Sequence, residues 1–374
     1  MKNSALALTL PLALAAVGAT AHAQDSNVTV YGVIDMSLAY TSKAAPGNNS
    51  RLSLDSGDQM ASRIGFKGRE ELGGGLAAIF QLETGFNADD GAMATPGTLF
   101  DRKSVVGLSG GFGTLTLGRQ TDYLEDIGSR YTSFQIFGGG GVRAGHFNSL
   151  DRITGARTSN SLRFDSASYG GFSGSLFYGF GEVAGSNAAG RAVGIGANYA
   201  SGAFGIGAAY YQSKLAADAL PARAGDTDLK TFTLGASMQA GPAKLFAAWS
   251  QTRRPLQAPL AATGLVNITS ATRANIVDIG VDYAYDDKLH LLASVIYDRA
   301  DLARTGIGAT RAHTTQLNLG ADYFLSKRTD VYAMLSRQQA ADVNNPGVIG
   351  QAYSVAPTDD SAQNVLRIGL RHKF

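Results

Sequence analysis

Sixteen stretches of this 374-residue chain alternate apolar and polar residues with a period of two, and the links between them alternate short and long. The first eight are 28–40, 62–69, 76–86, 102–109, 114–119, 161–165, 174–181 and 192–200. The rest are 203–212, 230–239, 244–252, 275–285, 289–299, 313–324, 329–337 and 364–374. Short links such as 70–75, 110–113 and 201–202 take turns with long ones such as 41–61, 87–101 and 120–160. Period two sends successive side chains to opposite faces of a strand. An even number of such strands, with short periplasmic turns at one end and long extracellular loops at the other, is the layout of an all-β, 16-stranded antiparallel transmembrane barrel. At ~10 residues per strand, ~3.3 Å per residue and a ~45° tilt, each strand crosses roughly 23 Å, about the height of the apolar band.

The parity of individual strands fits that reading. In 76–86, Leu76, Ala78, Phe80, Leu82 and Phe86 fall on the lipid side, with Gln81 and Glu83 on the lumen side. In 62–69, Ile64 and Phe66 point outward against Arg63, Lys67 and Arg69. In 275–285, Val277, Ile279, Val281 and Tyr283 oppose Asp278 and Asp282. The last strand sets Leu366, Ile368, Leu370 and Phe374 against Arg367, Arg371 and Lys373, and the sequence ends on its aromatic. Phe374 reads as an assembly signal and interface anchor. In a soluble sheet the charged residues would only solvate an exposed face.

The first residues support export. Lys2 precedes an apolar run and Ala21-His22-Ala23 forms an A-x-A site, so 1–23 reads as a signal peptide and 24–374 as one barrel domain. The run is too short, and too interrupted by Pro11, for a spanning helix. In hydrocarbon every backbone group must find a partner within the protein, which leaves a closed barrel as the way to cross. There is no cysteine, which removes disulfides and thiolate chemistry. The net charge is +2 over the full chain, and the leader takes one lysine with it, so no global polarity points to nucleic acid. Glycine stands at 47 residues, above the usual ~7%, which suits many strands joined by tight turns.

Five segments carry a likeness to a known family: VTVYGVIDMSLAY near the start, SRIGFKGREELGGGLAAIFQLETGFN at 62–87, RKSVVGLSGGFGTLTLGRQ at 102–120, SNSLRFDSASYGGFSGSLFYGFGE at 159–182, and the closing GLRHKF. In these the chain resembles the general (trimeric) porins of the β-proteobacterial outer membrane. The resemblance implies a water-filled diffusion channel for ions and small hydrophilic solutes, assembled as a homotrimer. It also implies outer-membrane lipid and lipopolysaccharide as surroundings, and the barrel-assembly machinery as a partner. It implies a third loop, here 120–160, folded into the lumen as a constriction. The same likeness places Arg63, Arg102 and Arg157 in a cluster of wall arginines, with Glu83 as a carboxylate beside them. The first part of the loop supplies Asp122, Glu125 and Asp126 as the opposing acids, while Arg130 and Arg143 make that loop mixed in charge. The alternative for Arg63 and Glu83 is a lumen-wall ion pair that only stiffens the barrel.

Charges on opposite sides of a narrow point orient dipolar solutes and bias the passage of ions. Unit charges ~10 Å apart in water interact by only roughly 0.4 kcal/mol, so such a pore biases ions weakly, here toward anions. A substrate-selective channel for small carboxylates or sugars is the alternative. Enzymatic readings lack a motif: His146, His290, His313 and His372 sit in separate elements, with no H-E-x-x-H, G-x-S-x-G or phosphate-binding glycine loop. The runs at 138–141 and 194–197 read as loop flexibility and strand packing. No cofactor is indicated; the acidic pairs Asp89–Asp90 and Asp359–Asp360 are the candidates for loop-bound calcium.

Overall fold

The computed structural model describes residues 27–141, 157–214, 228–253, 268–304, 308–341 and 361–374. Residues 1–23, expected to be a signal peptide, and Arg143, His146, Asp359 and Asp360 lie outside those residues. The first strands are β1 (Asn27–Ala45), β2 (Asn49–Ser56), β3 (Arg63–Gly73), β4 (Leu76–Gly85), β5 (Lys103–Gly110) and β6 (Gly113–Thr121). Two helices follow, α1 (Tyr123–Tyr131) and α2 (Phe134–Gly141). Then come β7 (Arg157–Ser166), β8 (Phe172–Gly179), β9 (Ala192–Ser201), β10 (Phe204–Lys214), β11 (Asp228–Ala240) and β12 (Ala243–Arg253). The chain closes with β13 (Ile268–Ala284), β14 (Leu289–Arg304), β15 (Gly308–Phe324), β16 (Thr329–Ala341) and β17 (Ala362–Lys373).

Every neighbouring pair is antiparallel, and β17 returns to β1 in register from Val33↔Lys373 to Thr41↔Val365. The seam is finished by the last residue: Gly32 N donates to Phe374 O at 3.0 Å and Phe374 N to Gly32 O at 3.1 Å. The Phe374 ring fills the space that a side chain on Gly32 would need. No strand edge is left open at this seam, which is what a sheet in hydrocarbon requires.

The sixteen expected strands are all present, and the sheet holds a seventeenth. Residues 41–61, read from sequence as a loop, instead extend β1 to Ala45 and form β2. β2 pairs with the upper part of β1 (Met36↔Ser56 to Ala45↔Asn49), while β3 pairs with its lower part (Asn27↔Arg69 to Val33↔Arg63). β2 and β3 therefore share one stave position, and the barrel has sixteen staves. Between them, residues 57–62 turn into the lumen.

The wall is inside-out relative to a soluble protein. Leu38, Val106, Ile195, Ile279, Leu319 and Ile368 are exposed outward, while Asp35, Asp278, Asp298 and Gln316 are buried on the lumen side. Arg367 and Arg371 follow the lumen parity and meet Asp58 (2.8 Å) and Asp330 (3.0 Å). Exposed aromatics mark both rims, with Tyr40, Phe232 and Trp249 toward the long loops and Phe172, Tyr285 and Phe374 toward the short turns.

Candidate pore constriction

The segment after β6 leaves the wall and becomes helical for local reasons. Asp122 caps α1, its side chain accepting from Leu124 N at 2.8 Å. Glu125 and Asp126 occupy the first turn and Arg130 the last, each sign matching the helix dipole. Leu124, Ile127 and Tyr131 recur at helical spacing and, with Tyr123, bury one face against Phe177, Tyr211 and Ala248 inside the barrel. Thr132 ends the helix in extended conformation, its hydroxyl donating to Gly128 O at 2.7 Å.

The wall is carved to receive this helix. Side chains at Gly196, Gly207 or Gly235 would overlap Tyr123, Ile127 and Tyr131; at Gly235 the added carbon would lie 2.5 Å from Tyr131 Cβ. Three wall glycines on β9, β10 and β11 thus form the socket. Further along, Asp278 on β13 takes hydrogen bonds from Ser133 N (2.8 Å) and Ser133 Oγ (2.5 Å), and Lys244 Nζ donates to Gln135 Oε1 at 2.5 Å.

Helix α2 meets the inward turn at 57–62. Asp35 accepts from Gln59 N (2.9 Å) and Met60 N (2.5 Å). The Gln59 amide donates to Asp322 at 3.1 Å and to Ile136 O, in α2, at 3.3 Å. Gly138 has φ +64°, and a side chain there would collide with the Gln59 carbonyl. The loop is therefore fixed at both sides of the lumen.

Beside it lies a cavity of about 780 Å³ lined by Arg63, Arg102, Arg157, Glu125, Asp282 and Lys373, among others. Arg63 opens β3 directly after the inward turn, and its Nη1 donates to Ala61 O at 3.1 Å. Arg102 precedes β5 and is set by Asp101, which accepts from Gly85 N (2.8 Å) and Thr95 Oγ1 (2.9 Å). Arg157 opens β7, in register with Thr121. Glu83 on β4 ties the first two together: Oε1 lies 2.7 Å from Arg102 Nε, and Oε2 lies 3.5 Å from Arg63 Nε and 2.9 Å from the Tyr31 hydroxyl.

Of the three loop acids, Glu125 alone lines this cavity. Asp122 is spent as the helix cap. Asp126 points to the other side of α1 and pairs with Arg163 at 2.6 Å. Burial pushes the Glu125 carboxyl up to about 7, with Asp122 reinforcing the shift and Arg157 opposing it. Asp282 and Asp322, on β13 and β15, line the side away from Arg63, Arg102 and Arg157; there Arg371 lies 3.4 Å from Asp322, and His290 is held to Asp282 at 2.7 Å. Strand parity alone assigned Asp282 to the lumen; its place opposite the arginines depends on barrel closure. Asp89 is exposed and Asp90 accepts from Ala92 N at 2.8 Å in a turn; among the described residues no three metal-ligating side chains converge.

A closed sixteen-stave barrel, narrowed by a docked loop beside a charged wall, directs attention to channels. Residues 7–342 match the Gram-negative porin family. The chain belongs to that family. It is 31% identical to Outer membrane porin protein 32 of Delftia acidovorans, and 29% identical to an outer membrane porin protein of Bordetella pertussis, over the full length of each chain. Among solved structures it resembles an anion-selective porin from Comamonas acidovorans (28% identity, TM-score 0.75, covering 94% of this chain and 100% of that one). The fold is also that of OmpF from Salmonella typhi (19% identity, TM-score 0.69, covering 93% and 98%). This porin is thus an outer-membrane channel for passive diffusion of ions and small hydrophilic solutes, and its relatives are channels and not enzymes.

Proposed function

We propose that the constriction of this porin is set between Arg63, Arg102 and Arg157 on one side and Glu125, Asp282 and Asp322 on the other, and that it passes anions weakly in preference to cations. The observation that carries this reading is the segregation of charge. The three arginines stand on β3, just before β5 and on β7, with Glu83 joining Arg63 and Arg102, while Glu125 comes from the loop and Asp282 and Asp322 from β13 and β15, where Arg371 pairs with Asp322 at 3.4 Å. A transverse field of this kind orients dipolar solutes without closing the pore to either sign. The anion-selective relative, similar over its whole length, supports the sign.

The test is a reversal potential under a salt gradient. Arg63→Gln with Arg102→Gln leaves Glu83 uncompensated, so the potential moves toward cation preference. An unmoved potential removes these arginines from the constriction. Saturable block by one carboxylate or sugar, with little by others, would instead favour the substrate-selective alternative.

The same proposal includes removal of 1–23 on export, handling by the barrel-assembly machinery, contact with lipopolysaccharide, and a homotrimer. The uneven wall supports trimerisation. Strands β4 to β9 have only 8 to 10 residues, against 16 or 17 in β13 to β15. Eight tilted residues cross roughly 19 Å, short of a ~25 Å apolar band. β2, with exposed Leu52 and Leu54, pairs with a strand on one edge only. A neighbouring subunit against this low side would cover both. Crosslinking that stops at monomers in native membranes would refute it.

A further inference from the structure

Below α1, toward the short turns, lies a second cavity of about 640 Å³ that shares no lining residue with the first. Lys67 and Arg69 on β3, Gln81 on β4, Lys103 on β5 and Arg163 on β7 line it, with Asp126 and Asp165. The charges are not evenly spent. Arg163 holds both acids, at 2.6 Å to Asp126 and 2.9 Å to Asp165. Arg69 is paired with Glu71. Lys67 stands 5.5 Å from the centre of the Tyr31 ring, an arrangement that leaves its donors open to water. Lys103 lies opposite Glu83 in the ladder, yet both Glu83 oxygens are taken, one by Arg102 and one by Tyr31 and Arg63. Neither lysine has an ion pair among the described residues.

Strand geometry brings the two within reach of one ligand. Lys67 pairs with Gln81, and Lys103 with Glu83, so the lysines sit diagonally across β4. With strands ~4.8 Å apart and ~3.4 Å per residue, their Cα atoms are roughly 12 Å apart. Two lysine side chains reaching inward from that separation leave a gap suited to a compact anion. Gln81 between them offers an amide, one hydrogen of which goes to the Tyr31 hydroxyl at 2.6 Å.

We propose that this lower cavity is an anion subsite on the periplasmic side of α1, where Lys67 and Lys103 together hold compact solutes carrying two or more negative charges. It rests on the channel reading and adds to it. The arginine wall biases whatever passes, whereas the lysine pair retains multiply charged anions at one place. Lysine fits this role because its ammonium is a mobile point charge that releases as readily as it binds.

Single-channel recording with inorganic pyrophosphate tests the assignment. Added in the chamber facing the short turns, pyrophosphate reduces the chloride current saturably, and from the other chamber it does so only at higher concentration. In Lys67→Gln with Lys103→Gln the half-blocking concentration from the short-turn side rises about tenfold or more, as loss of charge-assisted bonds demands. Lys67→Arg with Lys103→Arg restores the block. Arg63→Gln with Arg102→Gln and Glu83→Gln, which removes the arginines without freeing a carboxylate opposite Lys103, keeps it. Every variant conducts in potassium chloride; loss of conductance itself would strike the channel reading and not the subsite. A block that never saturates, that is unchanged in the glutamine variant, or that vanishes with the arginines instead, overturns the subsite.

Discussion

At the scale of single residues, the site divides into groups that face solute and groups that hold those in place. Glu83 is of the second kind: it keeps two guanidinium groups side by side that would otherwise repel. Glu125 is of the first kind and is the loop acid at the cavity whose charge changes within the range a cell meets. Its carboxyl, raised to about 7 by burial, is mostly ionised at pH 8 and mostly protonated at pH 6. Acidification therefore removes a negative charge from the proposed constriction, and the reversal potential moves toward stronger anion preference as pH falls from 8 to 6. At ~10 Å in water one charge is worth roughly 0.4 kcal/mol, so the permeability ratio changes about twofold. Glu125→Gln holds the acidic value at every pH; a pH dependence that survives this substitution belongs to another group. The sequence named Glu125 together with Asp122 and Asp126 because all three stand near the start of one loop. Loop position alone does not separate them, since it is the helix that spends Asp122 on its cap and turns Asp126 away. A signal was present: Asp122 and Glu125 stand at the spacing of a capping box, followed by Ile127 and Tyr131 at helical intervals.

Between residue and barrel stand the elements. Sixteen strands were legible because lipid and lumen impose alternation locally, residue by residue. β2 was not, although Leu52 and Leu54 alternate with polar neighbours, because it sits inside what reads as a long link. The inward turn at 57–62 left even less trace. Its conformation is fixed by Asp35 on β1 and Asp322 on β15, partners that local pattern does not reveal. This turn and α2 form a clasp across the lumen, and its tightest point is Gly138. Alanine there must adopt φ +64° with ψ −174°, a region essentially reserved for glycine, at a cost of about 1–3 kcal/mol, and also push back the Gln59 carbonyl. Gly138→Ala should loosen the clasp, giving noisier open-channel current and a larger mean conductance than the parent protein. Quiet traces of unchanged amplitude would mean that the loop is held by its socket and by Asp278 alone.

For the molecule as a whole, closure is the event that makes the fold viable in hydrocarbon, and it ends on one residue. Deleting Phe374 removes both hydrogen bonds to Gly32 and uncovers the glycine. The lumen charges stay as they are. The expected result is less heat-modifiable, folded porin in outer-membrane fractions, while the channels that do form keep the parent conductance and selectivity. Normal amounts of folded protein would show that the seam closes without its last residue.

The three glycines under α1 have a consequence for anyone redesigning this pore. They make the wall and the loop one fitted pair, so the bore is not a property of the loop sequence alone. A loop transplanted from a wider relative would arrive at a recess cut for Tyr123, Ile127 and Tyr131. Conversely, filling the recess at Gly235 would displace a loop whose own sequence is untouched. Engineering the diameter therefore means exchanging two distant pieces of the chain together, and a graft of either one by itself should yield a misfitted channel.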